Sequence, residues 1–181
     1  CRVFNKYSVC LYVMPKHRVY IAVGSNLGDK IENCRKGLDA IERSGNSVIQ
    51  ARSRFYQTEP VDYKDQAWFI NAAVCIETQL EPLALLQELK SIEKRLGRKS
   101  DGARFGPRIL DLDIIFYDNC IYEASQLKIP HPRAHKRRFV LKPICDINPN
   151  ILHPVLKKTI QTLLDELNDA GQQVNELQCD Y

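Results

Sequence analysis

No apolar run in this sequence approaches the roughly 18 residues that a membrane-spanning helix needs, so the chain reads as a cytoplasmic, soluble one. Seven cysteines are present, but none stands in a Cys-x-x-Cys pair. An odd, scattered set supports neither a zinc-type spacing nor a closed disulfide framework, and it reads as reduced thiols. Cys34 and Cys75 fall at apolar-periodic positions, where cysteine acts as a small core residue. The turn Gly24-Ser-Asn-Leu-Gly28-Asp-Lys lacks the Gly-Lys-Ser/Thr ending of a P-loop and the spacing of a dinucleotide fingerprint, which leaves a tight strand-to-helix turn. Internal repeats and low-complexity tracts are absent from the sequence.

What is present is 181 residues with 44% apolar content, enough for one sizeable core. The expected organisation is an N-terminal extension over residues 1–17, poorly ordered and basic, then a single catalytic domain over 18–170 and a fraying polar tail over 171–181. The net charge of +4 is unevenly spread: residues 94–108 and 133–142 each carry +5, leaving −6 on the remainder. An acidic body with two concentrated basic stretches points to an anionic ligand gripped in one place, although solvated basic loops would give the same count.

Periodicity predicts a strand over 19–23, a helix over 29–43, strands over 48–56 and 69–78, and a helix opened by Pro82 and ended at Gly97. A polar loop lies between the two middle strands. A further strand follows the glycine-rich basic loop of residues 97–107. The β-α-β-β-α-β order implies an α+β, ferredoxin-like fold with a mainly antiparallel sheet. One helical segment is expected over 133–146 and a last amphipathic helix over 159–167.

The strand after the basic loop contains Asp111-Leu-Asp113. Alternation puts both carboxylates on one face and Leu112 and Ile114 on the other. Two like charges about 7 Å apart on a half-buried face need compensation. A divalent ion shared with substrate phosphates would supply it, with nearby arginines holding the phosphates. An Asp-Arg ladder on an edge strand satisfies the same spacing. His131 and His135, at i and i+4, have no third metal ligand close in sequence, so a phosphate contact or a surface role competes with a metal pair.

Five blocks carry a resemblance: Tyr20-Ile-Ala-Val-Gly-Ser-Asn26, Phe55-Tyr-Gln-Thr-Glu-Pro60, Phe69-Ile-Asn71-Ala-Ala73, Gly106-Pro-Arg-Ile-Leu-Asp-Leu-Asp113, and the run from Pro130 to Leu141. Over about residues 18–155 the chain resembles the 6-hydroxymethyl-7,8-dihydropterin pyrophosphokinase family of folate biosynthesis. The resemblance implies transfer of pyrophosphate from ATP to the pterin hydroxymethyl group, with release of AMP. It implies two Mg²⁺ ions on Asp111 and Asp113, and catalysis by Arg98 and Arg108. An ATP site would be drawn from Glu93, Arg98, Arg104, Arg108, Ile114, His131 and Arg137. The pterin would be read by Thr58, Val61 and Asn71 and stacked between Phe105 and Phe139. Some relatives carry Trp at the position of Phe105, Tyr at Phe69 and Arg at Ser100. The implied partners are ATP and the pterin, with no nucleic acid or membrane, and a monomer fits these expectations. The glycines at 97, 102 and 106 suggest a basic loop that closes over Mg²⁺-ATP. An RNA-binding module of the same sheet topology is the alternative, but its aromatic stacking signature is absent from the strands and a carboxylate pair would repel phosphate without metal.

Overall fold

The computed structural model describes residues 16–61, 65–98, 106–167 and 172–178. The expected extension therefore lies outside the described residues except for its last two, and His17 already belongs to the first strand. The loop-closure expectation for residues 98–105 also falls outside them beyond Arg98.

The chain runs β1 (His17–Ser25), α1 (Lys30–Arg43), β2 (Ser47–Arg52), β3 (Tyr56–Thr58), β4 (Phe69–Thr78), α2 (Pro82–Arg95) and β5 (Asp111–Tyr117). A small hairpin of β6 (Tyr122–Glu123) and β7 (Lys128–Ile129) follows, then α3 (Arg138–Ile147), α4 (Ile160–Asp165) and β8 (Val174–Glu176). The main sheet has the order β5-β1-β4-β3-β8, with β2 also on β4. Its pairings are antiparallel, as expected for a ferredoxin-like core.

Strand alternation divides the core into two layers. Val19, Ile21 and Val23 pack with Leu112 and Ile114 under α1 and α2, whose Cys34, Leu38, Ile41, Leu85, Leu89 and Ile92 are fully buried. Tyr20, Ala73 and Cys75 face the other way, under Val140, Leu141 and Ile144 of α3 and Ile160, Leu163 and Leu164 of α4. Each such aliphatic side chain contributes about 1.5–3 kcal/mol of burial, so the sheet is held from both sides. Asp29 caps α1 by accepting from the Glu32 amide. Pro82 opens α2, where its missing N–H costs nothing.

Three departures from the periodicity matter for the site. The predicted strand over 48–56 is split: β2 ends at Arg52, the Ser53 hydroxyl accepts the Ala73 amide in place of a ladder carbonyl, and pairing resumes at Tyr56 as β3. The predicted helix over 133–146 is also broken. A 3-10 turn at Ala134–Lys136 precedes an extended Arg137, with φ −122° and ψ 104°, and only then does α3 begin. The polar tail does not fray throughout: β8 pairs with β3, and Leu177 donates its amide to the Phe55 carbonyl at 2.9 Å. Pairing with an edge strand supplies the backbone partners that a polar composition gave no reason to expect.

Candidate active site

On the α3 side of the sheet a cleft of about 290 Å³ opens over the end of β1, the start of β4 and the start of β5. Register explains its floor. Ala22 stands opposite Asp113 on β5 and Ala73 on β4, while Gly24 stands opposite Asp111 and Asn71. Two of the smallest residues thus separate the acid pair from Asn71, which lies two strand spacings away, or about 10 Å.

At the acidic end, Asp111 Oδ1 accepts from Arg98 Nη1 at 2.6 Å and Asp111 Oδ2 from Arg108 Nη1 at 2.5 Å. Burial pushes the Asp111 carboxyl up, but Arg108, Lys90 and Arg98 outweigh it and hold it below its ordinary value. Asp113 differs. Its ion pair among the described residues is with Lys90 Nζ at 3.8 Å, and burial followed by the Asp111 charge raises it above the ordinary carboxylate value. Asp111 is thus held by two guanidiniums at hydrogen-bond distance, whereas the ion pair of Asp113 is the longer one to Lys90.

A local motif aims Arg98. Gly97, at φ +100°, lets α2 end in a Schellman turn in which the Gly97 amide donates to the Lys94 carbonyl and the Arg98 amide to the Glu93 carbonyl. The Arg98 side chain then returns over the helix end to Glu93 Oε2 at 2.6 Å. Glu93 is 1% exposed and also accepts from Lys90 Nζ and the Leu112 amide, both at 2.7 Å. Burial raises its carboxyl above the ordinary value despite these donors. Arg108 is fixed from the opposite side: its amide donates to Asn26 Oδ1 at 2.7 Å, and Asn26 Nδ2 donates to Gln66 Oε1.

A bulge brings in His131. The β1–β5 register shifts between Tyr20 and Ile21, so Ile115 and Phe116 both face the α3 layer, and the Ile115 carbonyl takes the His131 amide at 3.0 Å. His131 lines the cleft near Asp113; its imidazole is lowered by burial, which the Asp113 charge offsets and Arg137 and Arg133 reinforce. His135 instead packs near His153, with ring centroids 6.0 Å apart. Among the described residues no group of three or more His, Cys, Asp and Glu could hold a metal.

At the far end, Asn71 Nδ2 donates to Thr58 Oγ1 at 2.7 Å, with both residues buried. Val61 and Phe69 continue that wall, and Phe139 faces it beneath the Arg137 guanidinium, 5.4 Å from the ring centroid. Arg137, at the break before α3, and Phe139, in the first turn after it, both line the cleft.

Ten residues predicted from sequence meet at this cleft: Thr58, Val61, Asn71, Arg98, Arg108, Asp111, Asp113, His131, Arg137 and Phe139. Two do not. Ile114 points into the helix layer by strand alternation, and Ile115 takes the cleft side. Glu93 lies beneath the site and reaches it through Arg98. Arg104 and Phe105, with Ser100, lie outside the described residues. Sequence reasoning missed Lys90, which its i,i+3 spacing to Glu93 could have revealed, and Asn26, hidden in a turn read as purely structural. It also missed Arg133 and Glu59 on the cleft wall.

The family model for 7,8-dihydro-6-hydroxymethylpterin-pyrophosphokinase (HPPK) matches residues 20–149. The chain belongs to this family. It is 42% identical to the 2-amino-4-hydroxy-6-hydroxymethyldihydropteridine pyrophosphokinase of Bacillus subtilis, over 71% of this chain and 76% of that protein. With the same enzyme of Methylorubrum extorquens it shares 36% identity over 85% and 96%. Its likeness to the folic acid synthesis protein of Schizosaccharomyces pombe is 37% over 93% of this chain but 23% of that one. The chain thus spans about a quarter of the length of that relative. A crystal structure of the Plasmodium falciparum HPPK-DHPS protein superposes with TM-score 0.68 at 17% identity, over 86% of this chain and 46% of that one, and supports the fold. The RNA-binding alternative finds no support: α3 and α4 cover the sheet face that such a module leaves open for stacking bases. Among the described residues no helix is long and apolar enough to cross a membrane.

Proposed function

We propose that this HPPK-family chain transfers pyrophosphate from ATP to 6-hydroxymethyl-7,8-dihydropterin, giving the pterin diphosphate and AMP. The carrying observation is the polarity of a single cleft: two carboxylates flanked by Arg98 and Arg108 at one end, and the Thr58–Asn71 pair facing Phe139 at the other.

Asp111 and Asp113 suit Mg²⁺. They are hard oxygen donors on one strand face, too few to enclose an ion, which matches a metal completed by water and phosphate oxygens. When bound, Mg²⁺ would neutralise the polyphosphate and lower the charge barrier at the β-phosphorus. Arg98 and Arg108 would hold the transferring group, Arg137 and His131 the rest of the nucleotide. Arg104 is assigned to the nucleotide and Phe105 to the pterin on the resemblance alone. Thr58, Asn71 and Val61 would read the pterin edge while Phe139 stacks on its ring. The hydroxymethyl oxygen attacks the β-phosphorus, the bond to the α-phosphate bridging oxygen breaks, AMP leaves, and the hydroxyl proton passes to solvent. Positioning and electrostatics account for the rate without a dedicated base.

The test is incubation with ATP, Mg²⁺ and 6-hydroxymethyl-7,8-dihydropterin, with nucleotide products resolved chromatographically. Stoichiometric AMP supports the reading. ADP in its place overturns it.

A further inference from the structure

The C-terminal strand meets both walls of the cleft, and its contacts are more specific than pairing alone requires. On one wall, the Glu59 amide donates to the Gln173 carbonyl at 3.2 Å, and the Gln173 amide donates to Glu59 Oε2 at 3.3 Å. Val174, Asn175 and Glu176 pair with Thr58, Gln57 and Tyr56. On the other wall, α3 begins without a capping side chain of its own, because its N-cap residue is Arg137. The missing acceptor comes from the tail: Gln172 Oε1 takes the Arg138 amide at 2.8 Å, and Gln172 Nε2 donates to the Lys136 carbonyl at 3.2 Å. One amide side chain thus bonds on either side of Arg137, in the segment that carries Phe139.

We propose that Gln172 to Leu177 form a positioning strap that sets the distance between the Thr58 wall and the Phe139 wall, and so tunes affinity for the flat heterocycle rather than for the nucleotide. This rests on the pterin reading above. The strap touches no reacting atom. It supplies a helix cap in trans, from a residue 34 positions away, to the Arg138 N–H in the first turn of α3. The acid pair lies on β5, at the other side of the sheet from β8, so its geometry is independent of the strap.

The experiment compares wild type with Gln172→Ala, Gln172→Glu and Lys158→Ala. It uses titration calorimetry with a non-hydrolysable ATP analogue and Mg²⁺, then with 6-hydroxymethylpterin added to that complex. Losing the cap should weaken pterin binding about fivefold, the scale of a typical N-cap, and leave nucleotide affinity within about twofold. Gln172→Glu keeps the acceptor for Arg138 and should recover part of the loss. Lys158→Ala removes an exposed ion pair with Glu166 outside the strap and should change neither affinity. Equal pterin binding by wild type and Gln172→Ala, or a parallel fall in both affinities, overturns the strap. Hydrogen exchange at the Arg138 amide, read without ligand, keeps the two ideas separable. If wild type binds no pterin the functional reading fails, while faster exchange in Gln172→Ala still supports the strap's hold on α3 and unchanged exchange overturns it.

Discussion

Replacing each acid of the pair by its amide should move metal-free stability in opposite directions. Asp111→Asn removes a carboxylate shared by two guanidiniums, with side-chain exposures of 19% for Asp111, 33% for Arg98 and 19% for Arg108. That is neither a surface bridge, worth up to about 1 kcal/mol, nor a fully buried one, whose rupture costs about 3–5 kcal/mol, so a loss of about 2 kcal/mol is expected. At this chain length it lowers Tm by about 4–8 °C. Asp113→Asn relieves repulsion from Asp111. Burial of the ionised carboxylate and then the Asp111 charge outweigh the attraction of Lys90, 3.8 Å away, and of His131 and Arg108, so Asp113→Asn should raise Tm, by less than Asp111→Asn lowers it. The pH dependence follows from the two shifts. Asp113, raised in the fold, destabilises fully above its folded value, and this penalty disappears as pH falls through that value to the unfolded one. Asp111, lowered in the fold, stabilises above its unfolded value and loses that contribution as pH falls through the folded one. Thermal melts in chelator from pH 8 down to about pH 2 would display both, the Asp113 change above the ordinary aspartate value of about 3.9 and the Asp111 change below it. A fall in Tm for both variants refutes the asymmetry and makes the pair a structural ladder.

Glu93→Ala should lower Tm by about 6–12 °C, since it leaves the buried Leu112 amide without its acceptor and strips Arg98 of one anchor, at a cost of about 3 kcal/mol; a calorimetric shift under 2 °C would refute this. Arg108→Ala should slow the single-turnover chemical step by at least about 100-fold with Tm lowered by only a few degrees, whereas an unchanged step with raised ATP KM would demote it to ground-state binding. His153 is buried and its Nδ1 accepts the Val155 and Leu156 amides, so burial and then His135 lower its imidazole below the ordinary value. The unfolded chain therefore takes up the proton first, stability is lost as pH falls below about 6.5, and His153→Asn should shrink the Tm drop between pH 7 and pH 5.

The parts of the fold that were legible in sequence are those where one rule dominates. The strand over 69–78 matches β4 at both ends, and the acid pair does share one face of β5. Illegible were the places where a partner distant in sequence decides. Nothing local announces that Ser53 interrupts a strand, that Gln172 caps α3, or that a bulge at Ile115 turns two successive side chains to one side. Arg137 reads as one more position in a basic helix until the cap behind it is known. The same holds within the site: the importance of Asp111 and Asp113 follows from alternation alone, but their inequality follows from Arg98, Arg108 and Lys90, which arrive from α2 and the preceding loop.

Gly37 sits in the middle of α1, on the face of the sheet opposite the cleft, and a methyl group there would come within 2.8 and 3.0 Å of the two Leu110 methyl carbons. Leu110 is fully buried and immediately precedes Asp111. A library screened for catalytic loss would therefore score this glycine beside the arginines, since any side chain at 37 must push aside the buried Leu110 side chain that anchors the segment leading into the acid pair. A map of such scores would draw the active site too large, extending it through the sheet to a helix that meets no substrate.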